Sequence, residues 1–128
     1  MANERENNTN YTIYENGSLG EVQIAEEVVA IIAGIAATEA EGVAAMAGNI
    51  QKEFVSKLGM KVLSKGVRIS VEEGKVSVDL SIILDYGYSI PEVTKTVQEK
   101  VKNAIETMTG LTVADVNIRV ADVKIDNE

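Results

Sequence analysis

Residues Val76 to Val120 change hydropathy period twice, and both changes carry boundary signals, which constrains the fold more than any other stretch. Val76, Val78, Leu80, Ile82, Leu84 and Tyr86 alternate with Ser77, Asp79, Ser81 and Asp85, the pattern of a strand with one buried and one wet face. Val93, Val97, Val101, Ala104, Ile105 and Met108 then share one side of a helix. Ser89 and Glu92 have capping-box spacing, and Pro91 falls in the first turn, where no intrahelical donor is required. Gly110 follows the last apolar helical position, as a left-handed helix stop requires. Val116, Ile118 and Val120 resume the alternation. The chain therefore spells strand, crossover helix, strand, with no catalytic motif in it.

The 128 residues suit one domain. Neither histidine nor cysteine occurs. Disulfides, thiol nucleophiles, imidazole proton relays and almost all zinc sites are excluded together. We expect no cofactor: no glycine-rich phosphate cradle lies between a strand and a helix. Twenty acidic residues oppose twelve basic ones, so the chain lacks the electrostatic drive toward nucleic-acid phosphates or anionic lipid heads. The opening MANERENNTN is polar and is not expected to act as a signal peptide, and the longest apolar run, Val28 to Ala37, is too short to cross a bilayer and contains Gly34. Direct membrane insertion is not expected; association with a membrane would need a partner.

Residues 1–16 read as a disordered polar tail, 17–125 as one domain and 126–128 as a second short tail. Gly20 to Ile24 can form a short extra strand. A first helix follows, with an apolar stripe of Ile24, Val28, Ile31, Ile32 and Ile35, ending near Gly42. Ile50, Phe54, Val55 and Leu58 fit a short amphipathic helix. Val67, Ile69 and Val71 give a strand that turns at Glu72-Glu73-Gly74 into the long strand. The expected architecture is two-layer α+β, in the order helix, hairpin, helix, strand, with both helices on one face of a three-stranded mixed sheet. The crossover is right-handed by the general rule, and the last strand is placed beside the first strand of the hairpin.

A specific resemblance then emerges. One set of motifs comprises Gly20-x-Val22-x-Ile24 before an apolar helix, Glu41-Gly42-Val43 with Met46 after it, and Lys65-Gly66-Val67 opening the hairpin. A second comprises Val78-Asp79-Leu80, Asp85 through Pro91, Val97 through Val101, Met108 through Leu111 and Val116-Asn117-Ile118. Their ordered series over residues 16–125 resembles the alkaline shock protein family of bacterial envelope stress response proteins. The resemblance implies a small cytoplasmic protein of Gram-positive type bacteria, without enzymatic activity and so without catalytic residues to carry over. It also implies action by protein contact. Some relatives are tethered at the inner membrane face by a small membrane anchor protein, and others are associated with fatty-acid synthesis.

Several local features invite sharper readings. Asp79 and Asp85 lie six residues apart on one strand face, about 20 Å, too far for paired-carboxylate chemistry; a cross-strand ion pair of Asp79 with Arg68 or Arg119 is expected. Gly17-Ser18-Leu19-Gly20 matches the GxxG loop of KH domains, yet it precedes a helix instead of joining two and has no adjacent cation. Tyr86 is expected in the core, whereas Tyr88 is equally suited to a partner contact. Ile83 interrupts the polar row of the long strand, and the phase slips after Val120, so Val123 and Ile125 are expected to join Ile83 as an apolar patch on the wet sheet face. Ile83, Val123, Ile125 and Tyr88 are thus the candidate interaction surface. A non-enzymatic scaffold follows, contacting a membrane anchor or a second copy. The rival readings are a regulator docking on a lipid-biosynthesis enzyme and a KH-like RNA-binding module.

Overall fold

The computed structural model describes residues 10–16, 19–47, 50–51 and 66–125. Strands β1 (Asn10–Asn16) and β2 (Gly20–Ala25) form an antiparallel pair. Helix α1 (Glu26–Thr38) follows, then strands β3 (Val43–Met46) and β4 (Ile50–Gln51). The hairpin of β5 (Val67–Glu72) and β6 (Lys75–Asp85), helix α2 (Ile90–Thr109) and β7 (Thr112–Lys124) complete the chain. Both helices pack on one face of the sheet that β3 to β7 form, a two-layer α+β domain as expected.

The central unit obeys its local signals. Along β6 the side chains of Val76, Val78, Leu80, Ile82 and Leu84 are all buried under the helices. Ser89, in extended backbone, accepts a hydrogen bond from the Glu92 N–H at 3.4 Å, and Gly110 stops α2 in the left-handed region at φ 80°. Val93, Val97, Val101 and Ile105 are buried beneath this helix. Glu73 (φ 56°) and Gly74 (φ 78°) both take positive φ in the two-residue link of β5 to β6, the geometry that matches strand twist in a tight hairpin.

The sheet is larger than expected and differently ordered. β7 runs parallel to β6 along its whole length instead of flanking β5. The other edge of β6 is shared end to end, by β5 opposite Lys75–Leu80 and by β3 opposite Ile82–Leu84, with β4 paired outside β3. The junction falls at Ser81, whose N–H donates to Gly66 O at 2.9 Å and whose carbonyl accepts from Ala47 N–H at 2.8 Å. A Cβ on Gly66 would lie 2.8 Å from Ala47 O, so glycine (φ 81°) is required where the two strands meet. A crossover of one helix commonly brings the next strand beside the strand that it leaves, in keeping with the position of β7.

Other expectations need correction. Asn10–Asn16 is strand instead of tail, in keeping with the strand-forming residue types Tyr11, Thr12, Ile13 and Tyr14. α1 ends at Thr38, and it buries Val29, Ala30, Ile32, Ala33, Ala36 and Ala37, while Val28 is exposed and Ile24 belongs to β2. Small side chains face inward because α1 packs closely against both the sheet and α2. Met108 is 68% exposed, and its neighbour Thr109 is buried instead, its hydroxyl donating to Ile105 O and accepting from Leu111 N–H. Ile50 lies in β4, not in a helix; Phe54, Val55 and Leu58 lie outside the described residues.

Candidate functional site

At the carboxyl end of β6 the chain leaves the sheet, crosses its end and enters α2. Tyr86 N–H donates to Lys124 O at 2.9 Å, one step beyond the ladder, and Gly87 (φ 103°) turns the chain toward the Ser89 cap. The turn places apolar side chains in water. Tyr86 is 72% exposed, and Tyr88, Ile90, Val123 and Ile125 are also exposed. Leu84, Tyr86, Tyr88, Ile90 and Val123 line a groove of about 380 Å³ with Asp85 at its margin. Scattered exposed apolar residues are ordinary; here they are grouped around one groove.

Tyr88 is held in place. Its ring lies over Gly42, where a Cβ would fall 3.0 Å from Tyr88 Cγ and 2.8 Å from Val93 Cγ2. Gly42 also takes φ 99°, so both space and backbone call for glycine. Its carbonyl accepts from Asp85 N–H at 2.8 Å, tying the turn after α1 to the end of β6. The Tyr88 hydroxyl donates to Glu41 Oε2 at 3.4 Å. Behind the ring, a shallow concavity of about 550 Å³ is lined by Glu39, Glu41, Tyr88, Glu92, Thr96 and Lys100. Among the described residues, no group of three or more carboxylates converges as ligands for a metal.

The opposite, open face of the sheet is polar. Asp79 stands opposite Arg68 on β5 and Asn117 on β7, and its carboxylate accepts from Asn117 Nδ2 at 3.0 Å. Asn117 also reaches Asp115 at 3.3 Å. The expected ion pair is therefore replaced by an amide contact; among the described residues the ion pair that forms is Lys102–Glu106, at 3.1 Å. Leu19 precedes β2 and Gly20 opens it, opposite Asn16 of β1, a position between strands and not between helices.

The outer edge of β7 is capped by side chains. Val113 N–H donates to Glu106 Oε2 at 2.9 Å, Val116 O accepts from Gln98 Nε2 at 3.0 Å, and Val123 N–H donates to Asp122 Oδ1 at 2.8 Å. Strand edges are commonly blunted in this way against unwanted pairing. The Val113 N–H, followed by Lys102, holds the Glu106 carboxyl below the ordinary glutamate range.

The residues singled out from sequence do not form one patch. Register jumps from Val120 opposite Ile82 to Asp122 opposite Ile83, so Ala121 is an extra residue in β7. The bulge returns Val123 to the helix-side row, opposite Leu84, whereas Ile83 stays half-buried on the open face between Ala45 and Asp122. Val123 and Tyr88 meet in the groove, and Ile125 is exposed just beyond the strand. Tyr86 and Ile90 were not anticipated as surface residues, since continued alternation points Tyr86 inward. The available signal was Gly87 between two tyrosines directly before a helix cap.

Comparison with known proteins supplies the family. A profile of the alkaline shock protein 23 family, described by a cell envelope-related function, matches residues 14–125. The chain belongs to this family. The Bacillus subtilis protein YqhY is 36% identical over 115 residues, covering 90% of this chain and 85% of that protein. The Streptococcus pyogenes serotype M6 protein Spy1614 is 35% identical, covering 91% of this chain and 98% of its own length. A stress response regulator gls24 homolog of Streptococcus pyogenes serotype M3 is 27% identical, and the chain spans 59% of it. Among solved structures, a MamM CTD variant is 14% identical over 77% of this chain and 95% of its own, with a TM-score of 0.48. In this member of the alkaline shock protein 23 family, the stretches behind the sequence resemblance converge: Asp85 through Pro91 builds the groove, and Glu41-Gly42-Val43 seats Tyr88. Among the described residues, no helix is long and apolar enough to cross a membrane.

Proposed function

We propose that this protein is a non-enzymatic adaptor of the cell-envelope stress response, which works by holding a protein partner at the groove around Tyr88. One observation carries the reading. Tyr86, Tyr88, Ile90 and Val123 expose contiguous apolar surface at one end of an otherwise polar sheet, and Tyr88 is fixed there by Gly42 and Glu41. Exposed aromatic groups held in one orientation lose little entropy on binding, which favours them as anchors. The relatives named as stress response regulators and the family's envelope-related function support the biological setting. Through such a contact the protein is cytoplasmic and peripheral at the inner membrane face, carried there by its partner. Of the candidate residues, Tyr88, Val123 and Ile125 belong to this surface, and Ile83 stands apart.

The test is quantitative affinity capture from the native host, with wild type and a Tyr86→Ser/Ile90→Ser variant as baits. The variant is expected to keep its melting temperature and lose a membrane-protein partner that wild type retains. Loss of a soluble lipid-biosynthesis enzyme instead would assign the groove to metabolic regulation. Identical partner sets would remove the groove from the function.

A further inference from the structure

We infer that the groove receives a protein segment whose apolar anchor is flanked by lysine or arginine side chains. The inference rests on the adaptor reading and specifies the partner's chemistry. Two concave surfaces share Tyr88: the apolar groove on one side of the residue, and on the other the concavity bearing Glu39, Glu41 and Glu92. Asp85 adds a fourth carboxylate at the groove margin. Lys100 is the cation lining the second concavity, and among the described residues none of the four carboxylates is in an ion pair. Among the described residues, the surface around Tyr88 thus carries more carboxylates than cations, with Lys100 in the second concavity and Lys124 opposite Asp85.

The rim selects among occupants. A nucleic acid or an anionic lipid surface would bring phosphates against these carboxylates, in a chain of net charge −8. A segment with one or two large apolar side chains and neighbouring cations satisfies both concavities together. Its apolar anchor fills the space between Leu84, Ile90 and Val123, while its cations meet Glu39, Glu41 and Glu92 and the faces of Tyr86 and Tyr88. The rim charges act over distances where salt screens them, so they contribute orientation and association rate beyond the apolar anchor.

The test uses the full chain and a labelled synthetic peptide of sequence KLFKLLKK, titrated by fluorescence anisotropy, beside a peptide with every lysine replaced by glutamate. The lysine peptide is expected to bind and the glutamate peptide to fail. Tyr86→Ser/Ile90→Ser is expected to weaken binding at every ionic strength. Glu39→Gln/Glu41→Gln/Glu92→Gln is expected to weaken it roughly tenfold at about 50 mM salt and little at about 500 mM. A control, Glu72→Gln/Glu73→Gln/Asp115→Asn, removes equal charge at the other end of the sheet and is expected to leave affinity unchanged. Equal losses in the two triple variants would overturn the inference, because net charge alone would then explain binding. Binding of neither peptide, or of both, would also overturn it. So would sedimentation showing a dimer that only the groove variant dissociates, since the occupant would then be a second copy. If the groove variant loses its cellular partner but the rim variant keeps that partner and the peptide, the adaptor reading stands and the basic occupant fails. If the groove variant keeps both, the adaptor reading fails at this surface.

Discussion

Helices α1 and α2 lie side by side on one sheet, yet α1 is apolar around most of its circumference and α2 on one side only. α1 has Ala25 at its N-cap with no side-chain hydrogen bond, ends without a left-handed residue, and buries alanines and Gly34. α2 has a serine cap, a proline in its first turn, a glycine stop, and four large apolar side chains inward. A helix with one wet face must carry its own boundary and phase signals, because water supplies no others. A helix buried around most of its circumference is oriented by close packing, and small residues let it approach its neighbours.

The largest expected break in this contrast is Val101→Asp. Val101 is fully buried, and an unpaired carboxylate there costs several kcal/mol, about the ~5–15 kcal/mol stability of a domain this size. Loss of cooperative melting is expected, whereas the adjacent exposed change Lys102→Asp is expected to retain the fold. Equal melting temperatures would show that α2 is phased differently. Ala33→Leu probes the other helix. Ala33 is also fully buried, and overpacking is expected to cost about 1–3 kcal/mol in denaturant unfolding, although leucine is apolar. A neutral result would mean that α1 is loosely packed.

Smaller effects sharpen the difference in capping. Ser89→Ala is expected to cost about 1 kcal/mol, because the Glu92 N–H loses its acceptor. The reverse change at α1, Ala25→Ser, is expected to give at most a few tenths, since that helix is held by its packing. The smallest effect is electrostatic. Glu106 is held below its ordinary pKa in the folded state, so its cap on Val113 and its pairing with Lys102 stabilise the fold above the unfolded-state pKa. That contribution is lost as pH falls through the lowered folded-state value. In acid titrations of stability, Glu106→Gln is expected to flatten this part of the profile, and an unchanged profile would show that the cap is not formed in solution.

The unit from β6 through α2 to β7 was legible because its information is local: alternation, capping-box spacing and a glycine stop act within a few residues of one another. The family was legible for a related reason, as its motifs recur in order along the chain. The exposed groove is legible only in part. Val123 and Ile125 read as exposed and are, Tyr88 reads equally either way and is exposed, but the same pattern groups Ile83 with them and points Tyr86 to the core. Both errors have one source, continuation of a period past the point where the backbone departs from it. Strand β6 ends at Asp85 before the alternation does, and the extra Ala121 in β7 shifts every later side chain.

From the sequence by itself came the α+β class, the hairpin, the crossover helix with its ends, the negative charge and the family. These depend on side-chain type at short separation, where propensity and period act directly. Tertiary structure decided that β3 and β5 share one edge of β6, that β7 takes the other, and that alanines face inward along α1. It also brought Gly42 beneath Tyr88 and Val123 beside Leu84. The residues in these contacts are far apart in the chain, and what selects each partner is the space left by the others, a quantity that exists only once the elements have packed.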